Sequence, residues 1–504
     1  MYEWTEEQLT VFDAITAVDT NNLPTNKLIV INAVAGSSKS TTVIEAAGRL
    51  LRRNPEHDIR ATVFGAANAA DLKASMPSRV KSSTIHSLAY RNTVERYGLM
   101  LPIRDRTELY DIPDDLEIPK GKSRIILEHW NSYLSSKYIS LSSYYKDLTN
   151  EVKEVFTIDL LDIVRQIGRE TSAGYMPCTH TFYLKLFHMN LMSGKIKPKE
   201  LDVFMLDEAG DVSQIALDIF TNYPAKQKVV IGDTHQSIFS FLNLVSAFDH
   251  YKNEGVHLNL SKSFRVNAEQ ARAVQAFNNE QIDDSMMFEG MDYEDKIIKT
   301  YGYITRTNAN LIGKMIELNT QGLPYKLATD TKINQLFLLP RALIFLKAGY
   351  NQKNPNLQYI QNYADKYASK SHLKVAYKSL YTYIREVASE NKAVIQALDL
   401  IRKFGKNDIL TAYTESKEHK KSNCSLILLN GFTSKGLTLD SVTLDNDVDK
   451  AVNKAMLVPK EYRTEEEQAE VLLYYVICTR NRHELINAKV LEKYGRFNGS
   501  RHKN

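Results

Sequence analysis

Apolar residues arrive along this chain in two rhythms. Short unbroken runs, bounded by polar residues or glycine, read as buried strands. They are Lys27 to Asn32 (KLIVIN), Arg60 to Gly65, Val203 to Leu206 (VFML) and Lys228 to Ile231 (KVVI). Between the first two, Ser40 to Arg53 carries apolar residues at helical spacing, giving strand, loop, helix. Short apolar strands alternating with helices predict a parallel sheet. A second strand-rich region begins near His257 and resumes at Ser425 to Leu429 (SLILL). Two stretches, Arg91 to Glu200 and Ile312 to Asn407, read mainly as helix. Pro and Gly clusters at Ile112 to Lys122 and Ala173 to Pro177 mark domain edges. The expectation is an α/β protein with two parallel-sheet cores, each interrupted by a mainly helical insertion. The first core takes residues 1–90 and 178–256, with its insertion at 91–177. The second takes 257–311 and 408–504, with its insertion at 312–407.

Composition changes this picture little. A chain of 504 residues is too long for one hydrophobic core, which agrees with several domains. Hydrophobic residues make up 43% and charged residues 25%, the balance of a soluble globular protein. A net charge of +4 excludes a polycation but leaves a local basic groove open. Cys178, Cys424 and Cys478 are far apart and read as reduced thiols rather than a disulfide or zinc framework. The acidic N-terminus lacks a signal pattern, and the strongest apolar stretch, Leu336 to Leu346, is broken by Pro340 and Arg341. These features predict an intracellular protein with no membrane contact.

The candidate chemistry starts at Asn32 to Thr41 (NAVAGSSKST). A phosphate-binding loop of the pattern G-x-x-x-x-G-K-[ST] cradles phosphates with backbone N–H groups, reaches the β/γ-phosphates with its lysine and binds Mg²⁺ through its hydroxyl. Gly36, Lys39 and Ser40 fit, while Ala33 and Ser38 stand where glycines belong. Downstream, Asp207-Glu208 closes one apolar strand, and Gly232-Asp233-Thr234-His235-Gln236 closes the next. An Asp in that place holds Mg²⁺, a Glu polarises the attacking water, and a side-chain amide senses the γ-phosphate. All three groups fall at strand C-termini, where open α/β sheets bind ligands.

In order along the chain, further segments strengthen the case. They are Trp4-Thr5-Glu6-Glu7-Gln8, Phe64 to Leu72, Thr84-Ile85-His86-Ser87-Leu88, Pro177 to Lys185, Gly232 to Phe241 (GDTHQSIFSF), Leu260 to Arg265 (LSKSFR), Tyr303 to Asn308, Thr433 to Leu437 (TSKGL) and Glu470 to Arg480 (EVLLYYVICTR). With the loop and the Asp-Glu box they resemble the UvrD/Rep/PcrA-type superfamily 1 DNA helicases. The Pro177 to Lys185 segment makes the F-box DNA helicase branch the nearest, without an F-box segment. The chain departs from that pattern at Ala66-Ala67, Gly210, Leu242-Asn243, Phe432 and Thr438 as well as at Ser38.

The resemblance implies two RecA-like cores with ATP and Mg²⁺ between them. Lys39, Asp207, Glu208, Gln236, Arg265 and Arg480 become the catalytic set, the last two as arginine fingers. Gln8, Ala35, Gly36, Ser37, Ser38, Lys39, Ser40, Thr41 and Phe264 become the nucleotide contacts, with Ser40 and Asp207 holding the metal. Phe64, Thr84, His86, Phe239, Phe241 and Lys435 become contacts to DNA. Tyr133, Tyr138, Tyr144 and Tyr145 could stack on bases or simply pack. The implied activity is ATP-driven movement on single-stranded DNA, 3′-to-5′, by a cytoplasmic monomer of a bacterial or phage-infected cell. Single-stranded DNA, single/double-strand junctions and replication or recombination proteins are the implied partners. Two other readings stay open: a translocase that displaces proteins with little unwinding, and a DNA-binding protein with a degenerate ATPase.

Overall fold

A computed structural model describes residues 3–63, 66–96, 103–104, 107, 111–113, 116–119, 122–238, 244–292, 297–328, 331–347, 392–419 and 424–499. The chain divides into two compact units, Met1–Lys262 and Ser263–Asn504.

The first unit is built on a six-stranded sheet. Its order across the sheet is Val256–Leu260, Leu28–Ala33, Ala225–Gly232, Leu201–Asp207, Ile59–Val63, Lys81–Thr84. Every pairing in it is parallel. Alternate residues of strands Leu28–Ala33, Leu201–Asp207 and Ala225–Gly232 enter opposite cores. Ile29, Ile31, Val203, Met205, Val229 and Ile231 pack on one face, and Val30, Phe204, Leu206 and Val230 on the other. Burial on both faces explains why these strands read as unbroken apolar runs rather than alternating ones. Helix Lys39–Arg53 lies on the first face through Val43, Ala46, Ala47 and Leu50, one stripe of a 3.6-residue period.

The insertion shares the core of the opposite face. Helices Ser123–Ser135 and Ile158–Ala173 contribute Ile126, Trp130, Leu134, Leu160, Leu161, Val164 and Ile167 to it. Tyr133 and Tyr144 are buried there, 5% and 7% exposed, and are packing residues rather than base platforms.

The second unit has a five-stranded, all-parallel sheet in the order Lys326–Leu327, Leu426–Asn430, Tyr301–Thr305, Leu439–Leu444, Asn481–Ile486. Helices Asn308–Thr320, Leu338–Lys347 and Lys392–His419 pack in one apolar cluster with Leu327 and Leu428 of the sheet.

Two expected boundaries move. Strand Val256–Leu260 pairs with Leu28–Ala33, so it belongs to the first sheet, and the division falls after Lys262 rather than at 256. The expected boundary at 407 falls inside helix Lys392–His419, beside its break at Gly405, where φ is 80° and ψ 169°. Among the described residues no helix is long and apolar enough to cross a membrane, and all three cysteines are free.

Candidate nucleotide site

The site grows from the C-terminal edge of the first sheet. Strand Leu28–Ala33 runs into Val34 to Ser38, and helix Lys39–Arg53 follows at once. Gly36 has φ 79° and Ser38 φ 61°, ψ 37°. Ser38, where the loop pattern has a glycine, therefore holds a left-handed conformation. A Cβ in that region costs roughly 1–2 kcal/mol. No side chain caps this helix, and its first turn holds no acidic residue. Its free N–H groups and positive dipole end are a ready anion site. Among the described residues the Ser37 hydroxyl, in a residue 1% exposed, has no hydrogen-bond partner. Ala35 is fully buried and Thr41 half-buried on the first turn.

Strand Leu201–Asp207 delivers the carboxylates to the same loop. Lys39 Nζ stands 3.8 Å from Glu208 Oε1. The Ser40 hydroxyl is hydrogen-bonded to the Asp207 carboxylate, and the Glu208 N–H donates to Asp207 Oδ1 at 2.8 Å. Burial pushes the Asp207 carboxyl up to about 6, and the neighbouring Glu208 charge adds to the rise. Lys39, the Glu208 N–H and the Ser40 hydroxyl oppose it. Glu208 itself is left-handed, with φ 56°.

A buried hydroxyl without a partner, an uncapped helix start and a serine-aspartate pair together fit a magnesium-bound polyphosphate. Among the described residues no three His, Cys, Asp or Glu gather as a metal cage. Mg²⁺ beside phosphates needs only one or two protein oxygens, because phosphate and water fill the rest of its shell.

The departure at Gly210 has a steric cause. A Cβ there would stand 2.8 Å from the Asp233 carbonyl oxygen. The loop after strand Ala225–Gly232 presses directly on the Asp-Glu box. Ser237 Oγ donates to the Gly210 carbonyl at 2.8 Å. Gln236 is 4% exposed, and its Nε2 donates to Asp233 Oδ2 at 2.7 Å. Asn32 and Thr234 join the two strand ends in both directions, at 3.1 and 3.2 Å.

Gln8 is 1% exposed and completes a capping box with Thr5. Its Oε1 accepts from the Thr5 N–H at 3.1 Å, and its Nε2 donates to Thr42 Oγ1 at 3.0 Å. The side chain named as a base reader thus ties the N-terminal helix to the loop helix. Its neighbour Glu7 grips Ser261 twice, at the backbone N–H (2.7 Å) and the hydroxyl (2.8 Å). That clamp, the Asn32–Thr234 pair and the role of Thr42 have no signature in any motif.

Of the residues named for DNA, Thr84 caps helix Ile85–Tyr90 by accepting from the Ser87 N–H at 3.0 Å. His86 packs edge-on to Tyr183 at 6.3 Å. Burial lowers its imidazole to about 4, helped by His180, so it is neutral near pH 7. Phe64, Phe239 and Phe241, and the departure at Leu242-Asn243, lie outside the described residues. In the second unit, Lys435 is half-buried just after the turn Phe432–Ser434. Phe432, one of the departures from the helicase pattern, lies 4.9 Å under the Arg306 guanidinium. Phe264 is half-buried. Arg265 and Arg480 both donate to the end of helix Glu465–Cys478.

Fold and loop define the class: an α/β protein of the P-loop type, with two RecA-like parallel sheets. A family described as "AAA domain" matches residues 15–242, the stretch that holds Lys39, Asp207 and Gln236. The chain is 22% identical over 517 residues to F-box DNA helicase protein 1 of Schizosaccharomyces pombe (strain 972 / ATCC 24843). That alignment takes in 91% of this chain and 55% of the relative, so the chain spans about half the relative's length.

Proposed function

We propose that this chain is a DNA-dependent ATPase that works as a helicase or translocase on single-stranded DNA, moving 3′-to-5′. One observation carries the reading. Lys39, Ser40, Asp207 and Glu208 converge at one sheet edge, on an uncapped helix start, with the pairings a nucleotide triphosphate requires. The name of the S. pombe relative supports DNA as the polymer.

Ser40 and Asp207 would hold magnesium, which offsets phosphate charge when bound. The loop N–H groups and the Lys39 ammonium hold the β- and γ-phosphates. Glu208 orients a water and takes its proton as the water oxygen bonds to the γ-phosphorus and ADP leaves. Gln236 reports on the γ-phosphate to the loop that follows it. Arg265 and Arg480 serve as arginine fingers, worth on the order of 10³–10⁵ in rate. Gln8, tied to Thr42 on the loop helix, and Phe264 are the proposed contacts to the base. Phe64, Thr84, His86, Phe239, Phe241 and Lys435 take the DNA strand.

The test is ATP hydrolysis with and without single-stranded DNA. Wild type should be stimulated by DNA, and Lys39→Ala should lose on the order of 10²-fold or more in kcat. Equal inertness of the two proteins would leave a DNA-binding protein with a dead site. Duplexes with 3′ or 5′ tails read direction. A protein-displacement assay beside them separates stripping from unwinding.

A further inference from the structure

Arg265 and Arg480 converge on one short piece of backbone within the second unit. Arg265 Nη1 donates to the Thr479 carbonyl at 3.2 Å. Arg480 Nε donates to the Val476 carbonyl at 2.7 Å, and its Nη2 to Thr479 Oγ1 at 3.2 Å. These groups close helix Glu465–Cys478, whose C-terminal end carries the negative partial charge that suits a guanidinium.

Beside this end lies an amide pair that belongs to no motif. Gln270 Nε2 donates to Asn481 Oδ1 at 2.9 Å, and Asn481 Nδ2 returns a bond to Gln270 Oε1 at 2.7 Å. The second hydrogen on Gln270 Nε2 goes to the Cys478 carbonyl at 2.5 Å. Both side chains are fully buried, at 0% exposure. Two amides in a dry core are costly unless paired, and two apolar side chains would fill the same space with no such demand. Packing alone does not call for them.

Their placement does. Asn481 directly follows Arg480 and opens strand Asn481–Ile486. Gln270 stands in the first turn of helix Ala268–Gln281, just after Arg265. The amide pair therefore knots together the two arginine-bearing turns and the helix end on which both arginines rest. The far ends of the same two helices are joined as well, by Arg463 on the Gln281 carbonyl at 2.7 Å and on its Oε1 at 2.5 Å.

We infer that Gln270 and Asn481 are positioning residues that fix the mutual spacing and direction of Arg265 and Arg480 for phosphoryl transfer. This rests on the proposed role of those arginines. A displacement near 1 Å at such a group costs up to about 10²-fold in rate.

The test replaces both amides by Gln270→Leu with Asn481→Leu, which keeps the core filled. DNA-stimulated kcat should fall at least about tenfold, toward the 10² ceiling. KM for ATP and single-stranded DNA affinity should stay within about twofold, since both amides are fully buried. In an Arg480→Ala background the same pair should cost little more, because its effect runs through the arginines. A double variant that melts like wild type and keeps wild-type kcat overturns the inference. So does a loss that multiplies in full with that of Arg480→Ala. If the pair of leucines prevents folding, Gln270→Met alone carries the same expectation and the same overturning result. Should Arg480→Ala itself hydrolyse ATP normally, the reading of the arginines fails instead, which is a separate outcome.

Discussion

Ser38 and Glu208 each hold a backbone angle that a side chain resists, at φ 61° and 56°, and they stand on the two sides of one site. Strain of this kind collects where structure must serve chemistry, at roughly 1–3 kcal/mol per residue. Ser38→Gly removes the Cβ penalty but frees the unfolded chain, which takes back about 0.4–1 kcal/mol. Thermal melts should show a protein as stable as wild type or up to about 1.6 kcal/mol more stable, with ATPase unchanged or raised. A sharp fall in ATPase would mean that the serine hydroxyl, and not only the loop's backbone, is used. The convergence of Lys39, Ser40, Asp207 and Glu208 was legible, because the proposed chemistry demands fixed residue types next to strand ends. Gly210 was legible only as a departure. Its cause is a carbonyl that belongs to a loop 23 residues away, and no local pattern encodes that approach.

Helix His180–Met192 shows what one element can conceal. The sequence marks Lys185 only as the end of a motif, yet it is 1% exposed. Its Nζ donates at 2.8 Å to the Ser136 carbonyl, at the end of helix Ser123–Ser135, and lies 4.4 Å over the Tyr133 ring. Burial lowers its ammonium to about 7, against the opposing pull of Asp218. The folded pKa thus lies below the unfolded one of about 10.4. Between those values the unfolded chain binds a proton that the folded chain does not, so stability rises with pH. Below about pH 7 both states are charged and the full burial cost applies. Measured from pH 7 to 10, wild type should gain stability relative to Lys185→Met, with a slope of at most about 1.4 kcal/mol per pH unit. A difference that stays flat across that range would mean the ammonium remains charged inside the fold. Motif letters carry residue type; they do not carry depth, and depth sets this behaviour.

Across the whole molecule, each unit has its own sheet and its own apolar clusters. Such units unfold with some independence. Calorimetry should therefore resolve more than one transition. A non-hydrolysable ATP analogue with Mg²⁺ at 100 times its Kd should stabilise the transition of the first unit by about 2.7 kcal/mol. Lys39→Ala should lose that shift; a shift retained in full would place nucleotide elsewhere. The alternation of short apolar runs with helices made both sheets legible. It could not assign strand Val256–Leu260, because this marginal strand is mostly exposed and mixes polar with apolar residues, and its neighbour is chosen by a distant crossover. The rims of the first sheet carry one last consequence. An open sheet leaves backbone amides unpaired at both margins, an invitation to recruit another chain. One margin is the four-residue strand Lys81–Thr84, opened by a lysine that reaches Asp58 at 2.7 Å. The other, Val256–Leu260, leads to the serine gripped by Glu7. A charge at one margin and a clamp beside the other discourage strand-by-strand stacking, so resistance to aggregation is built into the same sheet that carries the nucleotide loop.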